Sequence, residues 1–291
     1  MRQELFFPPR NFGAIPRQYD DLETSRVVVL PVPYDSTTTY RAGARDGPQA
    51  IIDASQYLEL YDQELRQEIY RVGIHTLPEV EPLMSSPQDT IQRVYQVVKD
   101  LAERDKVVTL LGGEHSLTLG AVRAFKERFP DLSVLALDAH ADLKDEYSGT
   151  KYSHACVLRR VWELCPVLLV GLRSLSLEEH QLLEEQALDR FGPGEMEQAM
   201  ARISVLSPSV YITIDLDVLD PSIMSAVGTP EPDGLGWREV LRLLRAVAQG
   251  RHIVGFDLVE LAPKEGPTSC AFLASKLAYK LMGYATVLEK A

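Results

Sequence analysis

Six short runs of β-branched and leucine-rich residues recur along the chain, at Arg26–Val32, Lys106–Leu111, Leu132–Leu137, Pro166–Gly171, Val210–Ile214 and His252–Phe256. Apolar runs of this kind read as strands covered on both faces, the condition of a parallel sheet lying between helices. Helical stretches fill the intervals. The clearest is Pro87–Glu103, where Ser86 can cap, Pro87 suits the first helical position, Asp89 lies in the first turn, and Ile91, Val94, Val98 and Leu101 mark one face. The alternation predicts right-handed crossovers and an α/β fold, a three-layer αβα sandwich with a mostly parallel central sheet. No Gly/Ser linker, charge block, repeat or low-complexity segment interrupts the 291 residues, so a single domain over 1–291 is expected. Residues 1–25 are read as an N-terminal arm, extended through the proline-bearing stretch Phe6–Gln18.

A formal net charge of −12 argues against nucleic-acid and anionic-membrane partners and draws cationic ligands instead. The opening MRQELFFPPR lacks the apolar run of a signal peptide, and no segment approaches the roughly 18 apolar residues of a membrane span, so a cytoplasmic protein is expected. Cys156, Cys165 and Cys270 are odd in number, have no CxxC spacing, and read as small buried thiols.

In a sheet of this type functional groups belong at the carboxyl ends of the strands. After Leu111 comes GGEHS, whose glycines permit a tight turn; it presents His115 at the rim and offers Ser116 as a cap for the next helix. After Leu137 comes DAHAD, and the strand period of two puts Asp138, His140 and Asp142 on a common side while the chain stays extended. In YITIDLDVLDP the same alternation sends Asp215 and Asp217 to one side. Each cluster alone has a plain structural reading: a satisfied histidine, a solvated loop, a pair of helix caps. Together they bring four carboxylates and two imidazoles from three strand ends. Crowded carboxylates raise one another's pKa by units unless a cation intervenes, and two divalent cations would neutralise four of them.

GGEHS, DAHAD, SHACVLRRV (Ser153–Val161), DLDVLDP, GTPEPDG (Gly228–Gly234) and GFDLVEL (Gly255–Leu261) resemble, in order and spacing, the successive motifs of the ureohydrolase family of arginases, agmatinases and formimidoylglutamases. The SHACVLRRV and GTPEPDG segments, with the DSTTTYRAGARDGP loop, are most similar to agmatinases. The resemblance implies the arginase/deacetylase-like sandwich and a binuclear manganese hydrolase. It implies that His115, Asp138, Asp142 and Asp215 hold one metal, and Asp138, His140, Asp215 and Asp217 the other. His154 matches the family's proton-transfer histidine and Glu260 the carboxylate that receives the guanidinium. The departing amine needs a proton, for which Asp217 or Asp142, with His154 as exchanger to solvent, are the expected carriers. It also implies a homo-oligomer, trimer or hexamer, with the arm and the loop Arg41–Gly47 as contact segments. His75, His180 and His252 lie outside these motifs and are read as non-catalytic.

The chemistry needs these residue types. A guanidinium is a resonance-stabilised cation and a poor electrophile, so its attacking water must be activated. Four carboxylates and two imidazoles without a thiolate suit two Mn²⁺ per chain, with Co²⁺, Ni²⁺ or Fe²⁺ meeting similar preferences. The family's Glu-Val-Asn-Pro stands here as Glu260-Leu261-Ala262-Pro263, so the asparagine is missing. Where arginase grips an amino acid with short polar residues, Lys144, Asp145, Glu146 and Tyr147 stand instead. Asp145, Glu146 and Tyr147 are therefore expected to bind a cationic amine tail, favouring agmatine or aminopropylagmatine. The rivals are another amidinohydrolase, acting on guanidinobutyrate, arginine or a formimino acid with Arg45, Lys144 or Lys151 as anchor, and a catalytically silent, metal-stabilised binding subunit.

Overall fold

The computed structural model describes residues 9–288. The first eight residues, which carry most of the opening stretch and the start of the arm, lie outside that span. Eight strands form one sheet: β1 (Val27–Val32), β4 (Ile74–Thr76), β5 (Val107–Gly112), β6 (Ser133–Leu137), β7 (Val167–Val170), β8 (Arg190–Phe191), β9 (Ser209–Asp215) and β10 (His252–Val259). Their spatial order is β4-β1-β5-β10-β9-β6-β7-β8, with parallel pairing throughout. Two short strands, β2 (Tyr61–Asp62) and β3 (Gln67–Glu68), make a separate antiparallel hairpin.

Residues of β1 alternate between the two sides. Val27 and Val29 join one apolar cluster with residues of α1 (Gly47–Ser55), α6 (Met196–Arg202), α7 (Trp237–Gly250) and α8 (Ser269–Thr286). Val28, Leu30 and Val32 join the other, with α2 (Pro87–Glu103), α3 (Thr118–Arg128), α4 (Val157–Trp162) and α5 (Leu177–Glu185). The result is the three-layer sandwich expected from doubly apolar strands. Helix α2 has the expected bounds; Ser86 Oγ accepts from Asp89 N at 3.1 Å, and the stripe Ile91, Val94, Val98, Leu101 is buried.

Besides the β2–β3 hairpin, two strands of the main sheet escape the sequence reading. At three and two residues, β4 and β8 lie at the sheet's edges, where one neighbour suffices and no long apolar run is needed. The described part of the arm also departs from expectation. Instead of running extended, it makes 3₁₀ turns at Phe12–Ala14 and Arg17–Tyr19, because Phe12 and Ile15 are buried in the core and Phe12 stacks on Tyr279 with ring centroids 6.5 Å apart. All three cysteines are free and buried.

For the site, the middle of the sheet matters most. Strands β5, β10, β9 and β6 lie side by side, with Leu111 opposite Leu258, Val259 opposite Asp215 and Leu137 opposite Ile214. Their carboxyl ends are therefore level, and the residues that follow them meet.

Candidate metal centre

Each of these four strand ends delivers one part of the site. After β5, Gly113 passes so close to the loop following β1 that a Cβ there would lie 1.9 Å from Tyr34 O, so only glycine fits. That tight turn sends His115 inward, fully buried. Its Nδ1 lies 3.1 Å from Asp138 Oδ2, 3.3 Å from Asp142 Oδ2 and 3.5 Å from Asp215 Oδ2. The second imidazole, His140, places Nδ1 2.8 Å from Asp217 Oδ2 and 3.8 Å from Asp138 Oδ1. Asp138 thus belongs to two groups of convergent ligand atoms, His115–Asp138–Asp142 and Asp138–His140–Asp217.

Strand alternation brings these residues together only in part. Strand β6 ends at Leu137, and Asp142 has φ of +50°, so a left-handed turn rather than the pleat aims its carboxylate at His115. Likewise β9 ends at Asp215, whose side chain accepts from Asp217 N at 2.9 Å and turns the next residues into a 3₁₀ turn.

The cluster fits divalent metal ions. His115 Nδ1 and Asp138 Oδ2 are buried with no hydrogen-bond partner. The other ring nitrogen of His115, Nε2, sits 2.8 Å from Thr213 Oγ1, which donates to the buried Asp257 at 2.6 Å. With the Thr213 hydroxyl donating to Asp257, the threonine oxygen accepts the Nε2–H of His115, and Nδ1 faces the carboxylates as a bare lone pair, the form a metal needs. The electrostatics say the same. Burial pushes Asp138 up to about 7, with Asp142 and Asp217 adding to it, and raises Asp215 well above the carboxylate range, with Asp217 and Asp138 adding. Burial opposes a charge on His140, yet Asp217 and Asp138 outweigh it and lift the ring to about 11. A chain with no cation here must hold protons in its place.

The centre opens into a crevice of about 320 Å³ lined by, among others, His140, Asp142, Tyr147, His154, Asp217 and Glu260. Glu260 follows β10 with φ of +67°, and its Oε1 accepts from His115 N at 2.7 Å. Burial, with Glu114 nearby, raises it well above the usual carboxylate range, so a cationic guest is favoured. His154 also lines the crevice, with Nδ1 3.2 Å from Thr37 Oγ1 and Nε2 2.9 Å from Thr39 Oγ1, and burial lowers its pKa.

Three expectations need correction. Asp145 and Glu146 are exposed and do not reach the crevice; Asp145 is held at the surface by Arg160 at 2.6 Å and Lys151 at 3.2 Å, and of the three residues expected to bind the amine tail only Tyr147 lines the wall. Ser116 does not cap α3, since its hydroxyl donates to Glu114 at 2.5 Å instead. Of the three cations considered as carboxylate anchors, only Lys144 lines the crevice, because Arg45 pairs with Asp35 and Lys151 with Asp145. The sequence reading missed Glu114, Thr37, Thr39, Thr213, Asp257 and Glu179. All but Glu179 carried a signal, by sitting inside motifs already marked: Glu114 in GGEHS, Thr37 and Thr39 in DSTTTY, Thr213 in YITIDLDVLDP and Asp257 in GFDLVEL.

Fold and cluster define a class: an α/β protein with a carboxylate–imidazole cluster, able to hold metal ions in two adjoining groups, at the carboxyl edge of its sheet. A profile of the Arginase family matches residues 25–283, and the chain belongs to that family. The N(1)-aminopropylagmatine ureohydrolase of Synechocystis sp. is 38% identical over 296 residues, covering 95% of this chain and 96% of that protein. The agmatinase of Pyrococcus horikoshii is 31% identical over 268 residues, with 90% and 93% covered. The solved agmatine ureohydrolase of Thermoplasma volcanium superposes with a TM-score of 0.88 at 31% identity, covering 97% of this chain and 96% of that one.

Proposed function

We propose that this protein hydrolyses the guanidinium group of an agmatine-like polyamine, with N(1)-aminopropylagmatine its best substrate, releasing urea and the corresponding amine. From agmatine that amine is putrescine. The observation that carries the reading is the convergence of Asp138, Asp142 and Asp215 on the partnerless Nδ1 of His115, at the floor of a crevice that also holds Glu260. Relatives named for aminopropylagmatine, in Synechocystis, Thermus thermophilus and Thermococcus kodakarensis, are 35 to 38% identical and support the longer substrate.

His115, Asp138, Asp142 and Asp215 would hold one ion and Asp138, His140, Asp215 and Asp217 the other; Mn²⁺ suits the hard oxygen-rich set. When bound, such ions lower the pKa of water from about 15.7 towards 7 and so make a hydroxide nucleophile accessible at neutral pH. The chain's own side chains do the rest. With Oε1 engaged by His115 N, Glu260 keeps Oε2 for the guanidinium, and this charge-assisted contact fixes the central carbon over the carboxylates. Asp217 or Asp142 carries the proton of the attacking water, and His154 exchanges protons between solvent and the departing amine. Tyr147, edge-on to His154 at 5.8 Å and beneath Lys144 at 5.9 Å, walls the tail of the substrate.

A second reading rests on the cations at the mouth. Lys144 and Arg41 line the crevice and could anchor the carboxylate of an amidino acid. Each already has a carboxylate, Glu179 at 3.7 Å and Glu265 at 3.4 Å, which favours the amine. Urea release decides: kcat/KM for aminopropylagmatine or agmatine should exceed that for arginine and for guanidinobutyrate by at least about two orders of magnitude. Comparable turnover of either amidino acid overturns the substrate assignment. Tyr147→Ala should raise KM by roughly tenfold, while Asp145→Asn and Glu146→Gln leave it within about twofold. The same reading carries a homo-oligomer, trimer or hexamer, in the cytoplasm; a monomeric mass by light scattering counts against the former. Among the described residues no helix is long and apolar enough to cross a membrane.

A further inference from the structure

One buried carboxylate at this site has no part in the steps above. Glu114 is fully buried, one residue before His115, and its side chain turns away from the metal ligands towards the loop after β1. Three donors converge on it. Thr37 N donates to Oε2 at 2.6 Å, Thr37 Oγ1 to Oε1 at 2.7 Å, and Ser116 Oγ to Oε1 at 2.5 Å. Thr37 is thus gripped through backbone and hydroxyl together. The same hydroxyl oxygen is the point on which His154 rests, 3.1 Å from its backbone N and 3.2 Å from its ring Nδ1.

A hydroxyl has one proton and two lone pairs. Here the proton goes to Glu114 Oε1, the shorter contact at 2.7 Å against 3.2 Å to Nδ1. One lone pair accepts the backbone N–H of His154. The other faces Nδ1, and two lone pairs cannot share that approach, so Nδ1 must carry the ring proton. At the far side of the ring, the Thr39 hydroxyl, which also lines the crevice, donates to Nε2 at 2.9 Å. We propose that Glu114, acting through Thr37, fixes His154 in the Nδ1–H tautomer, so that Nε2 is the atom that exchanges protons with the crevice. The Nε2 lone pair takes a proton from solvent, and that N–H bond breaks when the lone pair of the departing amine accepts it. Glu114 is a positioning residue. The use of the proton rests on the ureohydrolase reading, but the tautomer does not.

The test follows the ring proton directly. Full-length chain labelled with ¹⁵N-histidine and loaded with diamagnetic Zn²⁺ gives ¹⁵N shifts that separate a protonated from a bare ring nitrogen; loss of signals in His154→Asn assigns them. The wild type should show Nδ1–H and bare Nε2. In Glu114→Gln the amide oxygen can keep Thr37 N–H while the amide NH₂ donates to Thr37 Oγ1, which turns the hydroxyl proton onto Nδ1 and moves the ring proton to Nε2. With zinc content unchanged, kcat for agmatine with manganese should fall by about 10- to 100-fold at nearly constant KM. Thr37→Ser should retain the wild-type tautomer and activity, and Thr37→Val should lose the preference for Nδ1–H, which keeps the test open if the glutamine variant does not fold. Wild-type Nε2–H, or a ring proton unmoved in both Glu114→Gln and Thr37→Val, overturns the proposal. A carboxylate that only braced the loop would lower the melting temperature and leave the tautomer alone. Failure to turn over agmatine with the tautomer as stated would instead indict the substrate assignment.

Discussion

Asp62 and Glu64, in the β2–β3 hairpin, and Asp138 and Asp215, at the ends of β6 and β9, are two sets of carboxylates that one fold compensates in different ways. At the hairpin the chain brings its own cations. Lys280 of α8 lies 3.0 Å from Asp62 and 2.6 Å from Glu64, Arg245 of α7 2.8 Å from Glu64, and Tyr284 donates to Glu64 at 2.8 Å. Backbone N–H groups of Glu64 and Leu65 complete Asp62 at 3.0 and 2.9 Å. At the strand ends no Lys or Arg lies within ion-pairing distance of the four aspartates among the described residues, and two ligand atoms face each other without partners. The first arrangement is a joint that closes on itself. The second closes only around something from outside, and this distinguishes a functional carboxylate cluster from a structural one better than charge count does.

Substitutions should part the two regions most widely in activity. Asp138→Asn or Asp215→Asn, each removing a carboxylate assigned to both ions, is expected to cost at least about a thousandfold in kcat/KM, more than His115→Asn. Two manganese ions per wild-type chain by elemental analysis, and fewer in the aspartate variants, would accompany the loss. Equal losses of metal across all three variants would contradict the assignment of each aspartate to both ions. Glu64→Gln should leave kcat/KM within about twofold.

In stability the ranking reverses. Lys280→Met strands Asp62 and part of Glu64, and breaking a buried pair from one side costs about 3 kcal/mol. The drop in melting temperature should be the same with chelator or with manganese. Manganese at 100 times its Kd should stabilise the wild type by about 2.7 kcal/mol and Asp138→Asn by much less. If Lys280→Met removes the manganese response as well, the two clusters are not independent and the comparison fails.

How far each region was legible follows from the range of its contacts. Doubly apolar strands announce a covered parallel sheet, and polar residues at their ends announce a crevice, because both signals are local. Asp142 meets His115 through a left-handed turn that no period encodes. Asp145 and Glu146 look like a substrate loop from composition, but which way a loop residue faces depends on Arg160, fifteen positions on, and that pairing holds Asp145 at the surface. Glu114 meets Thr37 across 77 positions, and Thr37 meets His154 across 117. The hairpin cluster was invisible for the same reason, since Lys280 reads as one more charge on a helix until α8 is docked.

The smallest effect is also the sharpest in sign. Burial works to raise Glu64, but Lys280 and Tyr284 overcome it and hold its pKa below the usual glutamate value. A carboxyl whose folded pKa is depressed contributes stability above its unfolded pKa, and that contribution disappears as pH falls through the folded value. A quarter of the side chain is exposed, so the stake is on the order of 1 kcal/mol. Urea melts of wild type and Glu64→Gln should therefore differ at neutral pH and converge below about pH 4. The metal-free centre runs the other way. Asp138 and Asp215 have raised pKa values, so between about 4 and 7 the unfolded chain releases protons that the folded one keeps, and stability falls as pH rises. Manganese should abolish that slope by displacing the protons, which titrate out into the buffer as the metal is added. A metal-free protein that grows steadily more stable from pH 5 to pH 8, with no proton release on loading, would mean that the strand-end carboxylates are already compensated within the chain, and the contrast with the Lys280 cluster would collapse.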